Sequence, residues 1–314
     1  MAPKLLIPVR VDDIRDLAAD VRAIDLVPSR RPDLPGYRAG AHTIVQLDDG
    51  LRRSYSLCGD PADPGRYRIA VKLDHHGRGG SLRMHQLRVG DELLTTYPQS
   101  GFGLAEGYRR HIFIAGGIGI TPIYSMLSEL TPLDTVECHY AARSPQSAPF
   151  LEEVTTLLPD VQTYFSSQGQ RVDVTDVLAE VGPATAVYCC GPPSLMATTI
   201  SAMEHWPAGS LHIERFEGLS PQQAHRGAAF TVELTLSAPG RVIQVPHDQS
   251  LLQVLLAQAI PIPSSCEGGV CGSCLVAVKD GSVIHRDLCM SPGDQAHSMT
   301  ACVSRADGHL RLLA

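Results

Sequence analysis

Cys266-Glu267-Gly268-Gly269-Val270-Cys271-Gly272-Ser273-Cys274, with Cys302 farther on, has the spacing C-x4-C-x2-C…C. This is the ligand pattern of a plant-type [2Fe–2S] cluster. Two irons bridged by two sulfides each need two more sulfur ligands to complete a tetrahedron, hence four thiolates. Gly268, Gly269 and Gly272 let the backbone approach closely enough for its N–H groups to face the sulfurs. A structural zinc site is the competing reading, but such sites more often pair one C-x2-C with a second. Cys289 and Cys302 are both available as fourth ligand, although Leu288-Cys289-Met290 reads more like a packed thiol.

The rest of the chain supports a redox reading of its cysteines. Nine cysteines in 314 residues is an odd number, and five of them crowd the end; in a cytoplasmic chain that favours metal or redox chemistry over disulfides. Cytoplasmic is the expected location, because Met1 to Pro8 is too short an apolar stretch for a signal peptide and no run reaches membrane-spanning length. With 26 Lys+Arg against 33 Asp+Glu and no basic run, nucleic acid is an unexpected partner. Hydrophobic residues at 44% and charged residues at 19% describe an ordinary packed protein of two or three domains.

Ahead of the cysteine loop lie two contrasting regions. In the first, Tyr67, Ile69, Val71 and Leu73 alternate with Arg68, Ala70 and Lys72, and turns recur at Asp48-Asp49-Gly50, Gly59-Asp60-Pro61 and Val89-Gly90-Asp91. This predicts an antiparallel β-barrel or sandwich. In the second, buried runs at 111–115, 136–141, 161–165 and 186–190 alternate with helix-length segments, which predicts a parallel sheet covered by helices. A polar, aperiodic linker follows Phe216, and Ser250 caps a helix predicted from Leu251 to Ala259. The expected boundaries are 1–106, 107–217, a linker at 218–229, and 230–314.

Each of the first two regions carries sequences suited to a phosphorylated ligand. Arg53-Ser54-Tyr55-Ser56 places an arginine fork on a strand, and Gly77-Arg78-Gly79-Gly80-Ser81 offers backbone and hydroxyl donors. Gly116-Gly117-Ile118-Gly119-Ile120-Thr121-Pro122 joins a strand to a helix, as does Cys189-Cys190-Gly191-Pro192-Pro193. Both sit at the carboxyl ends of parallel strands, where open α/β sheets bind ligands, although G-x-G-x-x-G spacing is absent. His75 and His76 precede Gly77 in a turn and lack partners at metal-ligand spacing.

Taken together, these motifs and their order resemble the phthalate dioxygenase reductase type of the ferredoxin–NADP reductase superfamily over nearly the whole chain. The resemblance implies FMN on the N-terminal barrel, NADH on the central α/β domain and a C-terminal β-grasp ferredoxin domain. It directs Arg53 at the flavin phosphate, with Ser54, Tyr55 and Ser56 on the flavin strand, Gly79-Gly80-Ser81 as the second phosphate loop and Lys72 among the cofactor contacts. It puts Gly116, Gly117, Gly119, Pro122, Gly191 and Pro192 at the nucleotide. Thr121 and Cys190 fall where the nicotinamide meets the flavin, Phe216 packs by the flavin ring, and Cys302 is the fourth cluster ligand. Arg143, near the end of the second central strand, has two readings: a contact to the ribose or its 2′-phosphate, or a solvated loop residue. The loop after the third central strand, Ser166-Ser167-Gln168-Gly169-Gln170, lacks the acidic residue many members carry, so NADH rather than NADPH comes from the resemblance alone.

A nicotinamide gives two electrons as hydride and a [2Fe–2S] cluster takes one, so the flavin stands between them and no general acid or base is required. The terminal acceptor is expected on another chain, a Rieske-type oxygenase of aromatic hydroxylation or demethylation, or a bacterial cytochrome P450. A monomer is expected. A redox-sensing regulatory subunit is a different reading, which would need an output surface that the sequence does not display.

Overall fold

Alternation of inward apolar and outward polar residues builds the first sheet. The strands are β1 (Leu6–Ala18), β2 (Val21–Pro28), β3 (His42–Gln46), β4 (Arg52–Ser56), β5 (Tyr67–Lys72) and β6 (Glu92–Thr96), with helix α1 (Gly80–His85) before the last. The computed structural model describes residues 6–47, 51–63, 65–219, 223–224, 226–236 and 238–313. The Asp48-Asp49-Gly50 turn and linker residues Ser220, Pro221, Gln222 and His225 lie outside the described residues. Neighbours pair antiparallel in the order β4-β3-β6-β1-β2-β5. A bridge from Leu57 to Ile69, with the Cys58 N–H donating to Arg68 O at 2.8 Å, joins the two ends and closes a barrel. Ile7, Val9, Val11, Ile24, Leu26 and Ile69 fill it. Asp25 is buried on its wall; Arg68 meets it through two hydrogen bonds at 2.6 and 2.8 Å and Arg66 through a third at 2.6 Å.

The second sheet is wholly parallel. It contains β7 (Arg110–Gly116), β8 (Thr135–Ala142), β9 (Gln162–Phe165), β10 (Thr185–Cys190) and β11 (Leu211–Glu214), in the order β11-β10-β7-β8-β9. Helices α2 (Ile120–Leu127), α3 (Leu151–Leu157), α4 (Val174–Val177) and α5 (Pro193–Ala202) connect it. β10 is buried throughout and β7 nearly so, as expected of central strands covered on both faces. The strand order reverses between β7 and β10, which opens a crevice at their carboxyl ends. Barrel and parallel sheet share one hydrophobic cluster, in which Ala39, Cys58 and Phe102 pack with Phe113, Ile120, Met126 and Tyr188. Consistent with that shared core, residues Met1–Arg215 form a single compact unit.

Phe216–Ala314 form the second unit. Here β12 (Phe230–Leu234), β13 (Arg241–Val245), α6 (Leu251–Ala257), β14 (Leu275–Ile284), α7 (Pro292–Gln295), β15 (Ser298–Thr300) and β16 (Arg305–Leu312) make a mixed sheet in the order β13-β12-β16-β14-β15. The β12–β13 pair is antiparallel and β12–β16 parallel, with α6 crossing between them, the arrangement of a β-grasp. Ser250 caps α6 as its sequence predicts. The Gln253 N–H donates to Ser250 Oγ at 3.1 Å, and the Gln253 side chain accepts from the Ser250 N–H at 3.0 Å.

The aperiodic segment after Phe216 is not a bare tether. The Leu219 N–H donates to Gly268 O at 3.0 Å, Arg286 donates to Arg226 O, and Arg305 donates to Ala228 O at 2.7 Å. These three backbone groups are thus paired within the second unit, with residues far along the chain, a pairing that periodicity does not reveal. No helix among the described residues is long and apolar enough to cross a membrane.

Candidate functional site

Arg53 and the glycine loop, distant in sequence, meet at the barrel surface. The Arg53 guanidinium donates to Arg52 O at 2.7 Å and Arg78 O at 3.0 Å. A Cβ at Gly80 would lie 2.6 Å from both Cγ and Nε of Arg53, so the arginine lies across the start of α1 only because Gly80 has no side chain. Gly79, at φ 76°, supplies the left-handed turn before it. Ser81 Oγ accepts from the Asp74 N–H at 2.9 Å and donates to Asp74 O at 3.2 Å, so its hydroxyl braces the loop. Burial pushes the Tyr55 phenol well up, against the opposing charge of Arg53, so it stays protonated at neutral pH.

The two strand-to-helix loops of the parallel sheet touch backbone to backbone. A Cβ at Gly116 would lie 2.4 Å from Pro192 Cδ, and one at Gly119 2.2 Å from Cys190 O. Thr121 is buried at the start of α2, with its hydroxyl donating to Ile118 O at 3.0 Å. Pro122, also in the first turn, has no N–H to waste there. A cavity of about 450 Å³ opens at these strand ends and brings together Gly116, Gly117, Pro192, Arg143 and Lys72. That volume falls in the range of small-ligand sites. Lys72 comes to it from the barrel strand β5.

Cys190 ends β10 in register with Ala115 of β7 and Glu214 of β11. Burial, and then the neighbouring Glu214, pushes its thiol well up, so it stays a neutral thiol rather than a thiolate. Glu214 itself is raised to about 8 by burial, opposed by a hydrogen bond from Ser56 Oγ at 3.5 Å. Ser56, Cys190 and Glu214 therefore cluster where barrel meets parallel sheet. Sequence reasoning singles out Phe216 from the run Glu214-Arg215-Phe216 and passes over Glu214; the available signal was a carboxylate at the carboxyl end of a parallel strand. Phe216 opens the second unit and is exposed.

In the cysteine loop the sulfurs stand as two pairs. The thiols of Cys266 and Cys271 share a hydrogen bond, as do those of Cys274 and Cys302. Within each pair the bond lowers one thiol, Cys271 or Cys274, and raises the other. Two pairs suit a binuclear cluster, in which each iron takes two protein sulfurs. The Gly268 and Val270 N–H groups donate to Cys266 Sγ at 3.5 and 3.4 Å, and the Cys266 N–H to Cys271 Sγ at 3.5 Å. A Cβ at Gly269, whose φ is 80°, would lie 2.7 Å from Val303 Cγ2. Cys302 is buried, whereas Cys289 is exposed and not the packed thiol its neighbours suggest; Leu288 beside it is exposed too.

Comparison with known proteins agrees with this geometry. Residues 234–307 match the 2Fe-2S iron-sulfur cluster binding domain family. The chain is 37% identical over 305 residues to the phthalate 4,5-dioxygenase oxygenase reductase subunit of Pseudomonas putida, covering 95% of this chain and 93% of that one. The solved structure of phthalate dioxygenase reductase, titled a modular structure for electron transfer from pyridine nucleotides to [2Fe-2S], superposes with a TM-score of 0.77 at 34% identity, over 98% of this chain and 97% of that one. An intact type IV self-sufficient cytochrome P450 monooxygenase superposes at 0.83 and 36% identity, over 98% of this chain but 41% of that one. With fold, paired sulfurs and near-complete coverage in accord, this chain belongs to the phthalate dioxygenase reductase family of oxygenase reductases.

Proposed function

We propose that this oxidoreductase passes electrons from NADH through FMN and a [2Fe–2S] cluster to a separate Rieske-type oxygenase. The observation that carries the reading is the meeting of Ser56, Cys190 and Glu214 at the junction of barrel and parallel sheet, on a chain that also holds two cysteine pairs. When bound, the nicotinamide supplies a hydride, the cluster accepts single electrons, and the flavin links the two. The chain supplies position. Arg53 and the Gly79-Gly80-Ser81 loop hold the flavin phosphate, and Ser54, Tyr55 and Ser56 align the flavin along β4. Gly116, Gly117, Gly119, Pro122, Gly191 and Pro192 admit the dinucleotide backbone, with Lys72 and Arg143 at the cavity wall. Thr121 and Cys190 frame the place of hydride transfer, the family resemblance adds Phe216 as a flavin-packing residue, and Cys266, Cys271, Cys274 and Cys302 ligate the irons.

Burial raises Glu214 to about 8, so its carboxyl is mostly protonated at neutral pH. The Cys190 thiol is neutral as well. Both keep charge away from a reaction whose rate depends on alignment rather than proton transfer.

The boundaries that go with this reading are a flavin domain at 1–106, a nucleotide domain at 107–217, a linker at 218–229 and a ferredoxin domain at 230–314, in a monomer. A second reading, a cytochrome P450 as acceptor, draws on the likeness to the self-sufficient monooxygenase. Purified holoprotein should be brown and should reduce cytochrome c with NADH; colourless protein without turnover would reject the reductase. Stoichiometric electron delivery to a reduced-Rieske signal, compared with delivery to a ferric P450, decides between acceptors.

A further inference from the structure

The cavity at the strand ends has two dissimilar ends. Gly116, Gly117 and Pro192 form one, beside the helix starts that suit a pyrophosphate. The other is built at the carboxyl ends of β8 and β9 from Arg143, Tyr164, Ser166, Gln170 and Arg171. This second end is the place for the adenosine of a dinucleotide laid across the crevice, and its charge is one-sided. No Asp or Glu is among the described residues that line the cavity.

The two arginines are held in place by their backbone while their guanidinium groups stay uncommitted. The Ser167 N–H donates to Arg143 O at 2.8 Å, which ties the loop after β9 to the end of β8. Gln170 closes that loop: its N–H donates to Phe165 O and its side chain accepts from the Phe165 N–H, both at 3.1 Å. Gly169, at φ 75°, makes the turn between them. Arg171 leaves the loop directly after this brace. Both arginines are exposed, and neither side chain has a hydrogen-bond or ion-pair partner among the described residues. The carboxylate closest in sequence, Asp173, is spent capping α4, where it accepts from the Thr175 and Asp176 N–H groups at 3.1 Å each. Lys72 is engaged by Asp20 at 3.8 Å.

In dinucleotide sites a carboxylate receives the free 2′-hydroxyl of the ribose, whereas a nearby arginine accommodates a 2′-phosphate. A phosphate monoester carries most of two negative charges at neutral pH and matches the planar fork of a guanidinium. We propose that Arg143 and Arg171 bind the 2′-phosphate of NADPH, so that the chain takes NADPH as well as NADH. This rests on the reductase reading. The hydride leaves the same nicotinamide carbon from either nucleotide, so the 2′-phosphate acts on affinity and not on the chemical step.

The test compares binding of adenosine 2′,5′-bisphosphate with that of AMP to the purified holoprotein by calorimetry, alongside flavin bleaching by NADPH and NADH. The bisphosphate should bind at least about tenfold more tightly, through charge-assisted contacts to the extra phosphate. Arg171→Gln and Arg143→Gln should each erase most of that margin, lowering kcat/KM for NADPH about tenfold more than for NADH. Equal binding of the two fragments, a margin untouched by either substitution, or NADPH turnover below about a hundredth of that with NADH would overturn the site while leaving the reductase standing. Failure of both nucleotides to bleach the flavin would sink the reductase reading and the proposal with it.

Discussion

Ser56 and Glu214 lie at the ends of strands in two different sheets, yet Ser56 Oγ stands 3.5 Å from Glu214 Oε2. The contact is loose for a hydrogen bond, and among the described residues Glu214 has no closer hydrogen-bond partner to offset its burial. The carboxyl is consequently raised to about 8 from 4.5.

A pH dependence of stability follows from that shift. Between its ordinary value and about 8 the folded chain holds a proton that the unfolded chain has released, so stability declines as pH rises across this window. The full decline should be on the order of a few kcal/mol. Between about pH 5 and 8, urea midpoints of the wild-type chain should fall relative to those of Glu214→Gln, while burial of His111 and His212, which holds both imidazoles low, adds an opposite slope shared by both chains. A difference between the two chains that does not change with pH would place the titrating group elsewhere.

The sulfur pairing makes Cys302 and Cys289 unequal. Cys302 is buried against Cys274, whereas Cys289 is exposed. Cys302→Ser should lose the visible cluster absorption, the low-temperature rhombic signal and cytochrome c reduction. It should retain NADH-dependent ferricyanide reduction, which draws on the flavin. Cys289→Ser should retain all four. Loss of the rhombic signal in Cys289→Ser with its survival in Cys302→Ser would reverse the ligand assignment.

Gly218 is required by proximity and not by its backbone angles. A Cβ there would lie 1.9 Å from Gly268 O, beside the N–H groups that face Cys266 Sγ. Gly218→Ala must push the cluster loop or its own segment aside, which should cost the second unit about 1–3 kcal/mol. Melting followed through the visible absorption of the cluster reads this directly. Flavin bleaching by NADH should proceed as before.

Much of this arrangement was legible in the sequence because the determinants are local. C-x4-C-x2-C marks the cluster loop, Ser250 with Gln253 marks the start of α6, and buried apolar runs mark β7 and β10. What stayed hidden depends on pairing between distant segments. Glu214 gains its raised proton affinity only through burial beside Cys190 and Ser56, and neither a hydropathy pattern nor a motif encodes that neighbourhood. The aperiodic segment after Phe216 looked free because its partners, Gly268, Arg286 and Arg305, are supplied by residues far along the chain. Cys289 was misjudged for the opposite reason: Leu288 and Met290 are apolar, but an apolar neighbour does not guarantee burial where the chain runs over the surface.

Arg305 offers the sharpest test of how the second unit is held together. It is buried, yet no carboxylate among the described residues meets it; its guanidinium donates to Gln249 O, Ala228 O and Pro246 O at 2.6, 2.7 and 2.8 Å and lies 4.8 Å over the Phe230 ring. One side chain thus fastens the end of the linker, the turn after β13 and the segment before α6 to β16, three residues beyond Cys302. Arg305→Met keeps the apolar packing but strands the three carbonyls, which should cost about 2–4 kcal/mol. Arg305→Lys keeps the charge but lacks the fork needed to reach them all, so it should recover only part of the loss. The cluster absorption should melt earlier in the order Met, Lys, wild type, with flavin reduction by NADH preserved in each. An unchanged midpoint for Arg305→Met would mean that the carbonyls find other donors, and that the arginine is a tenant of the core and not its fastening.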